Sequence, residues 1–123
     1  MREKTIQVFT EHEEEFVSLL IGVGMRRTVA MALVFLINTK EATSRDIERG
    51  TDLRQPEVSL AIKYMADQGW ISYKDIPSEW KGRPARNYSL AKTVPEIMSA
   101  IEKQLKSEAN HQLTLLKKMR EFL

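Results

Sequence analysis

The sequence predicts a mainly helical α+β fold. Three observations predict it. Residues 43–50 and 55–68 read as two short helices joined by a tight polar turn. Two strand-like runs, Trp70–Ile76 and Ala85–Leu90, follow at once around a polar loop with Gly82 at its tip. Long helical patterns stand at either end of the chain. Two helices, a turn and then a hairpin define a winged helix-turn-helix, here with a two-stranded β wing and terminal helices long enough to form a dimer arm.

Bulk composition bounds the reading. The chain has 123 residues, 42% of them hydrophobic and 29% charged, as in an ordinary folded domain. Cysteine is absent, which excludes disulfides, thiolate zinc sites and thiol chemistry within this chain and fits a cytoplasmic setting. The longest apolar run, Val29–Ile37, is about half of what a membrane span needs, so it predicts a buried helix and no membrane association. The N-terminal residues lack the apolar core of a signal peptide. A net charge of only +2 does not argue for nucleic acid by itself, so any such argument rests on local distribution.

The elements follow in order. Thr10 with Glu13 three residues on is a capping box, and the acidic Glu11–Glu15 run suits a helix N-terminus. Phe16, Leu19, Leu20 and Val23 then keep helical spacing until Gly22 and Gly24 stop it. The glutamates read as a solvated first turn rather than a metal site with His12. A second helix spans about Arg26–Asn38, apolar on nearly all sides from Val29 to Ile37. Asn38–Glu41 reads as a polar loop. Thr43, with Asp46 at the third helical position, caps the short third helix, and Gly50 stops it. Thr51-Asp52 makes the turn. Pro56 suits the first turn of the fourth helix, where a missing N–H costs nothing. Val58, Ile62 and Met65 share its apolar face with Ala61 and Ala66, and Gly69 closes it. Thr93, Pro95 and Glu96 open a last helix that can run to Leu123. The expected organisation is an N-terminal helix (1–25), a DNA-binding domain (26–92) and a dimerisation helix (93–123).

Function resides in the fourth helix and the hairpin. The front of the fourth helix joins a proline start to exposed Arg54, Gln55 and Ser59, which a plain core helix does not need. An α-helix fits the major groove; Gln bonds adenine bidentately, and Ser bonds a base edge or a phosphate. Leu53-Arg54-Gln55-Pro56-Glu57-Val58-Ser59 resembles the L-S-Q-P-x-V-S recognition-helix signature of ArsR/MarR-like winged-helix regulators. With Lys81-Gly82-Arg83-Pro84 and Asn87-Tyr88-Ser89-Leu90, the chain looks closest to a group of small archaeal proteins classed as transcriptional regulators. The resemblance covers about residues 26–92. It implies double-stranded DNA as the partner, with Gln55, Pro56 and Ser59 on the DNA-facing front, and implies neither cofactor nor catalysis.

The sequence departs from the signature at Arg54, where a capping Ser is usual, at Glu57, and at Leu60, where a basic residue is common. Arg54 can contact a phosphate or guanine. Glu57 can accept from cytosine N4 but repels phosphate. Lys63 adds a cation one turn further on. From Lys81 to Lys92 there are four cations (Lys81, Arg83, Arg86 and Lys92) and no acid, a patch able to neutralise phosphates. Arg83 suits a narrow minor groove. The competing reading is a solvated loop, with Trp80 packed back on the hairpin and Arg86 paired to Asp75. In the third helix Arg45 and Arg49 lie four apart and can clamp a phosphate, or Arg49 can pair with Asp46 or Asp52.

In the last helix Met98, Ile101, Leu105, Leu115, Met119 and Phe122 keep a heptad spacing, broken by a polar layer at Glu108 and Gln112. A polar layer of this kind fixes register at some cost in stability. The seam predicts a homodimer that presents two recognition helices to a palindromic site. His111, near that layer, is weak evidence for a pH sensor or a metal ligand. The scattered methionines read as gap-filling core. There is no phosphate-binding glycine loop and no spaced Ser-His-Asp set, so an enzyme is not expected. The alternative is a winged-helix module that binds protein. Effector, operator and the sign of regulation are not encoded legibly.

Overall fold

The computed structural model describes residues 9–77 and 85–123. The chain divides into two compact units, one ending at Lys92 and the other spanning Thr93–Leu123.

The first unit opens with α1 (Glu11–Gly22), capped by Thr10 as predicted. The Thr10 N–H donates to Glu13 Oε1 and the Glu13 N–H to the Thr10 hydroxyl. The other carboxylate oxygen of Glu13 accepts from Asn38 Nδ2 at 2.6 Å, tying α1 to the end of the next helix. Glu13 is therefore engaged at both oxygens rather than simply solvated. The buried face also differs from the expected one. Val17 and Leu20 are buried, whereas Leu19 and Val23 are exposed. With apolar residues at 16, 17, 19, 20, 21 and 23, spacing alone does not select the face; packing on the second helix does.

The helix α2 (Arg27–Thr39) is the centre of the unit. Ala30, Ala32, Leu33 and Leu36 are wholly buried, on several sides of the helix, because α1, α3 (Ser44–Thr51) and α4 (Gln55–Asp67) all pack on it. Between α2 and α3 the structure adds a strand that the sequence reading took as loop, β1 (Glu41–Thr43). It pairs antiparallel with β3 (Ala85–Leu90), which pairs in turn with β2 (Ile71–Ile76), giving a three-stranded sheet of order β1-β3-β2. Three residues are too few to show an alternation. This strand exists because β3 offers a free edge, with Ala42 opposite Tyr88 and buried.

Gly50 does not stop α3, which continues to Thr51 and ends at Asp52 in the left-handed region, φ 61°. Gly50 is instead a point of close approach: a Cβ there would lie 2.0 Å from Phe35 Cε1. Only a hydrogen fits between α3 and the Phe35 ring. Gly69, φ 80°, closes α4 as predicted, and Trp70 beyond it is buried with Tyr64 edge-on at 5.8 Å.

The second unit is α5 (Val94–Arg120), capped by Thr93 with Glu96 at the third position. Its 27 residues make a rod of about 40 Å. It ends before Leu123, so Phe122 lies in the turn that follows it. No helix among the described residues is long and apolar enough to cross a membrane.

Candidate nucleic-acid interface

The turn between α3 and α4 is held by a buried threonine. The Thr51 hydroxyl donates to the Ile47 carbonyl at 2.6 Å and accepts from the Leu53 N–H at 3.3 Å. Leu53 is buried beneath the turn. Arg54 is the N-cap residue, but a guanidinium has no acceptor with which to cap. The Arg54 N–H instead donates to Glu57 Oε1 at 2.9 Å, half of a capping box. Glu57 thus has a local duty at the helix start, which accounts for an acid where the resemblance does not expect one.

Beyond this start α4 divides by spacing. Val58, Ala61 and Met65 are fully buried; Ile62 is half-buried and Ala66 exposed, so the anchor is narrower than expected. Arg54, Gln55, Pro56, Glu57, Ser59, Leu60 and Lys63 are all exposed. Gln55, Ser59 and Lys63, four apart, form one ridge. Within it Gln55 Nε2 donates to Ser59 Oγ at 2.8 Å, and Lys63 Nζ lies 3.3 Å from Asp67. Glu57 and Leu60 sit to one side of this ridge. With Tyr64 and Lys63 they line an open groove of about 610 Å³ whose other wall is Met25, Arg26 and Val29. Leu60 therefore belongs to the flank that faces the α1–α2 turn.

The hairpin sets its own cation. Register places Asp75 opposite Arg86 and Tyr73 opposite Tyr88. The Arg86 guanidinium does not settle into a simple pair with Asp75. It lies over the Tyr73 ring, 4.2 Å from the centroid. A hydrogen bond with Tyr88, then the nearby Tyr73, push its pKa above the ordinary arginine value, and Asp75 contributes least. Arg86 is thus a cation held on an aromatic platform. It lines an open cavity of about 710 Å³ with Thr43, Ser44, Arg45 and Tyr88, and Asp75 shares that lining. The structure therefore brings Arg45 of α3 and Arg86 of the hairpin to one cavity. Arg49 lines a different cavity, with Phe35 and Asp46. The expected contacts at Lys81 and Arg83, and the packing of Trp80, lie outside the described residues. Lys92 is exposed at the end of the first unit.

No family model and no curated protein matches the sequence. Solved structures do match. The archaeal chromatin protein TrmBL2, whose structure is described as showing a novel mode of DNA binding, superposes with a TM-score of 0.69 at 14% identity over 89% of this chain. This chain spans only 40% of that protein's length. A possible transcriptional regulator from Methanosarcina mazei Go1 gives 0.64 at 14% identity, over 85% of this chain and 87% of its own. NMB1585, a MarR family regulator from Neisseria meningitidis, gives 0.52 at 20% identity, over 88% and 84%.

The fold is a winged helix-turn-helix.

In winged-helix terms α3 is the brace, α4 stands in the recognition position and β2–β3 is the wing, with β1 completing its sheet. The helix-turn-helix was legible from caps and proline. Thr51, Tyr73 and Tyr88 were missed as parts of the site. Thr51 looks like any turn threonine until its hydroxyl is found bridging Ile47 and Leu53. The tyrosines share a face only once the strand register is known. On α5, Leu115 and Met119 of the expected seam are exposed, as are Leu113 and Leu116 beside them. Gln112 is exposed too, while Met98, Ile101 and Leu105 are half-buried. Glu108 of the polar layer accepts from Gln104 Nε2 at 3.4 Å. Among the described residues no three metal-ligating side chains come together.

Proposed function

We propose that this protein is a DNA-binding transcriptional regulator that inserts the start of α4 into the major groove and rests its wing on the backbone. The supporting observations are the exposed Gln55–Ser59–Lys63 ridge on α4 and, separately, Arg45 and Arg86 lining one cavity at the hairpin. The ridge supplies groups that read base edges; the two arginines supply charge that reads phosphate. Arg54, at the very start of α4, adds a further phosphate or guanine contact, and Pro56 keeps the helix front free of a side chain that needs a partner. In the sequence just before Arg86, Lys81 and Arg83 add two more cations. The fold shared with regulators supports this reading, which also implies a cytoplasmic site of action.

The protein acts as a homodimer, residues 93–123 serving as the dimerisation helix. Support comes from exposed apolar residues, Leu115 and Met119 on α5 and Phe122 in the turn after it, the last 89% exposed. A solvated helix does not ordinarily carry such a row. A two-fold dimer presents two recognition helices about one helical turn of DNA apart. Selection of bound duplexes from a random pool tests this. The expected outcome is a palindrome with half-sites centred roughly 10 bp apart. An unenriched pool contradicts sequence reading, and enrichment of a single unpaired half-site contradicts the dimer.

A second reading, a winged-helix module that binds protein, draws on the groove beside Leu60, which is 64% exposed. It predicts weak DNA binding that does not respond to salt.

A further inference from the structure

Gln55 and Ser59 were expected to read DNA as two separate contacts. The structure joins them. Gln55 Nε2 donates to Ser59 Oγ at 2.8 Å, along a ridge where both side chains are exposed. A carboxamide carries two N–H donors on nitrogen and one acceptor oxygen. With one N–H held by Ser59, the free part of Gln55 is one N–H beside Oε1, a donor and an acceptor side by side. That pattern matches adenine, which shows an N7 acceptor beside an N6 donor in the major groove. It does not match guanine, whose N7 and O6 are both acceptors. Were the amide reversed, with Oε1 turned to Ser59, donor and acceptor would exchange places along the ridge, out of register with adenine N6 and N7. The bond to Ser59 thus fixes the order in which Gln55 presents donor and acceptor to the groove.

We infer that Ser59 is a positioning residue: it holds the Gln55 carboxamide in the orientation that selects adenine and does not itself read a base. Its own hydroxyl hydrogen is left to donate to a phosphate oxygen, which sharpens Ser59 as an acceptor for Gln55 through hydrogen-bond cooperativity. The pairing also holds a flexible side chain before DNA arrives, so less rotamer entropy is lost on binding. This inference rests on the DNA-reading function proposed above.

The test compares wild type with Ser59→Ala, Ser59→Thr and Gln55→Ala, using the full chain and duplexes that vary one position of the selected site at a time. Alanine at an exposed helical position favours the helix, so Ser59→Ala is expected to fold with an unchanged melting temperature. Wild type is expected to prefer adenine over guanine by about tenfold at one position of each half-site. Gln55→Ala removes that preference. Ser59→Ala reduces it to about twofold or less at that position, leaves preferences elsewhere unchanged, and lowers affinity for every duplex slightly through loss of the phosphate contact. Ser59→Thr, which keeps the hydroxyl, retains it. A merely structural role for Ser59 would lower affinity on every duplex while leaving the adenine preference intact, which is a different signature. Wild-type selectivity for adenine that survives Ser59→Ala, a Ser59→Thr variant that behaves like Ser59→Ala, or a guanine preference at that position overturns the inference and leaves the DNA-reading function standing. Failure of wild type to bind duplex overturns both.

Discussion

Arg86 and Arg45 illustrate how a chain of modest net charge still gathers cations at one place. Both were candidate phosphate contacts in the sequence, yet the chain carries only two excess positive charges. What matters is that register and sheet order bring both to one cavity, with Arg86 held over Tyr73. The account predicts that Arg45→Ala with Arg86→Ala weakens binding to every duplex alike and reduces the log–log salt slope by about two. Unequal loss across sequences would place one of them on a base instead. Thr51 makes a structural prediction at the same scale. Thr51→Val keeps the shape but leaves the Leu53 N–H unpaired beneath a buried turn. It should cost about 1–2 kcal/mol in thermal or denaturant unfolding, against near-neutral Thr51→Ser. The residue scale is also where the sequence was least legible. Caps and prolines act within four residues and show in the letters, whereas Thr51, Tyr73 and Tyr88 owe their roles to partners that only the fold supplies. Glu57 is the instructive middle case. As an isolated letter it reads as a repulsive acid; placed three residues after an N-cap that cannot cap itself, it is a helix-start group.

At the scale of elements, five helices were legible because their signals are local: capping boxes at Thr10, Thr43 and Thr93, proline at the first turns of α4 and α5, and apolar periodicity. The short strand β1 was not, because its partner lies some 46 positions away in sequence, as the Asn87–Glu41 side-chain hydrogen bond shows. The face of α1 was misjudged for the same reason; its apolar residues encircle the helix, and α2 chooses Val17 and Leu20. Gly50 was read as a stop when its function is contact. The close approach of α3 to Phe35 predicts that Gly50→Ala destabilises by about 1–3 kcal/mol through overpacking. Phe35→Ala combined with it should recover part of that loss, and a double-mutant cycle with no coupling would deny the contact. The departures at Glu57 and Leu60 also resolve here. Both lie on the flank of α4 that lines the groove with Met25 and Val29, to one side of Gln55 and Ser59. They do not subtract from the reading ridge, whose nearest competitor is the exposed and weakly worth Lys63–Asp67 ion pair.

At the scale of the whole molecule, the proposed division of labour is between a reader and a coupler. The first unit carries the ridge and the wing; α5 carries apolar residues that need a partner. Leu115→Asp with Met119→Asp changes exposed positions only, so the protomer should keep its fold while light scattering reports monomers in place of dimers. A wild type that is already monomeric at micromolar concentration contradicts the arm. Loss of the dimer should also remove the benefit of the second half-site, leaving single-site affinity. The central claim, that this winged helix reads DNA through a ridge and an electrostatic wing, is tested most directly by fluorescence anisotropy of the wild-type protein on its selected duplex across a salt series. One phosphate neutralised by each of Arg45, Arg54, Lys63 and Arg86 predicts a slope of about −4 per protomer in log affinity against log salt. Weak binding with a flat salt response would contradict it and favour the protein-binding module.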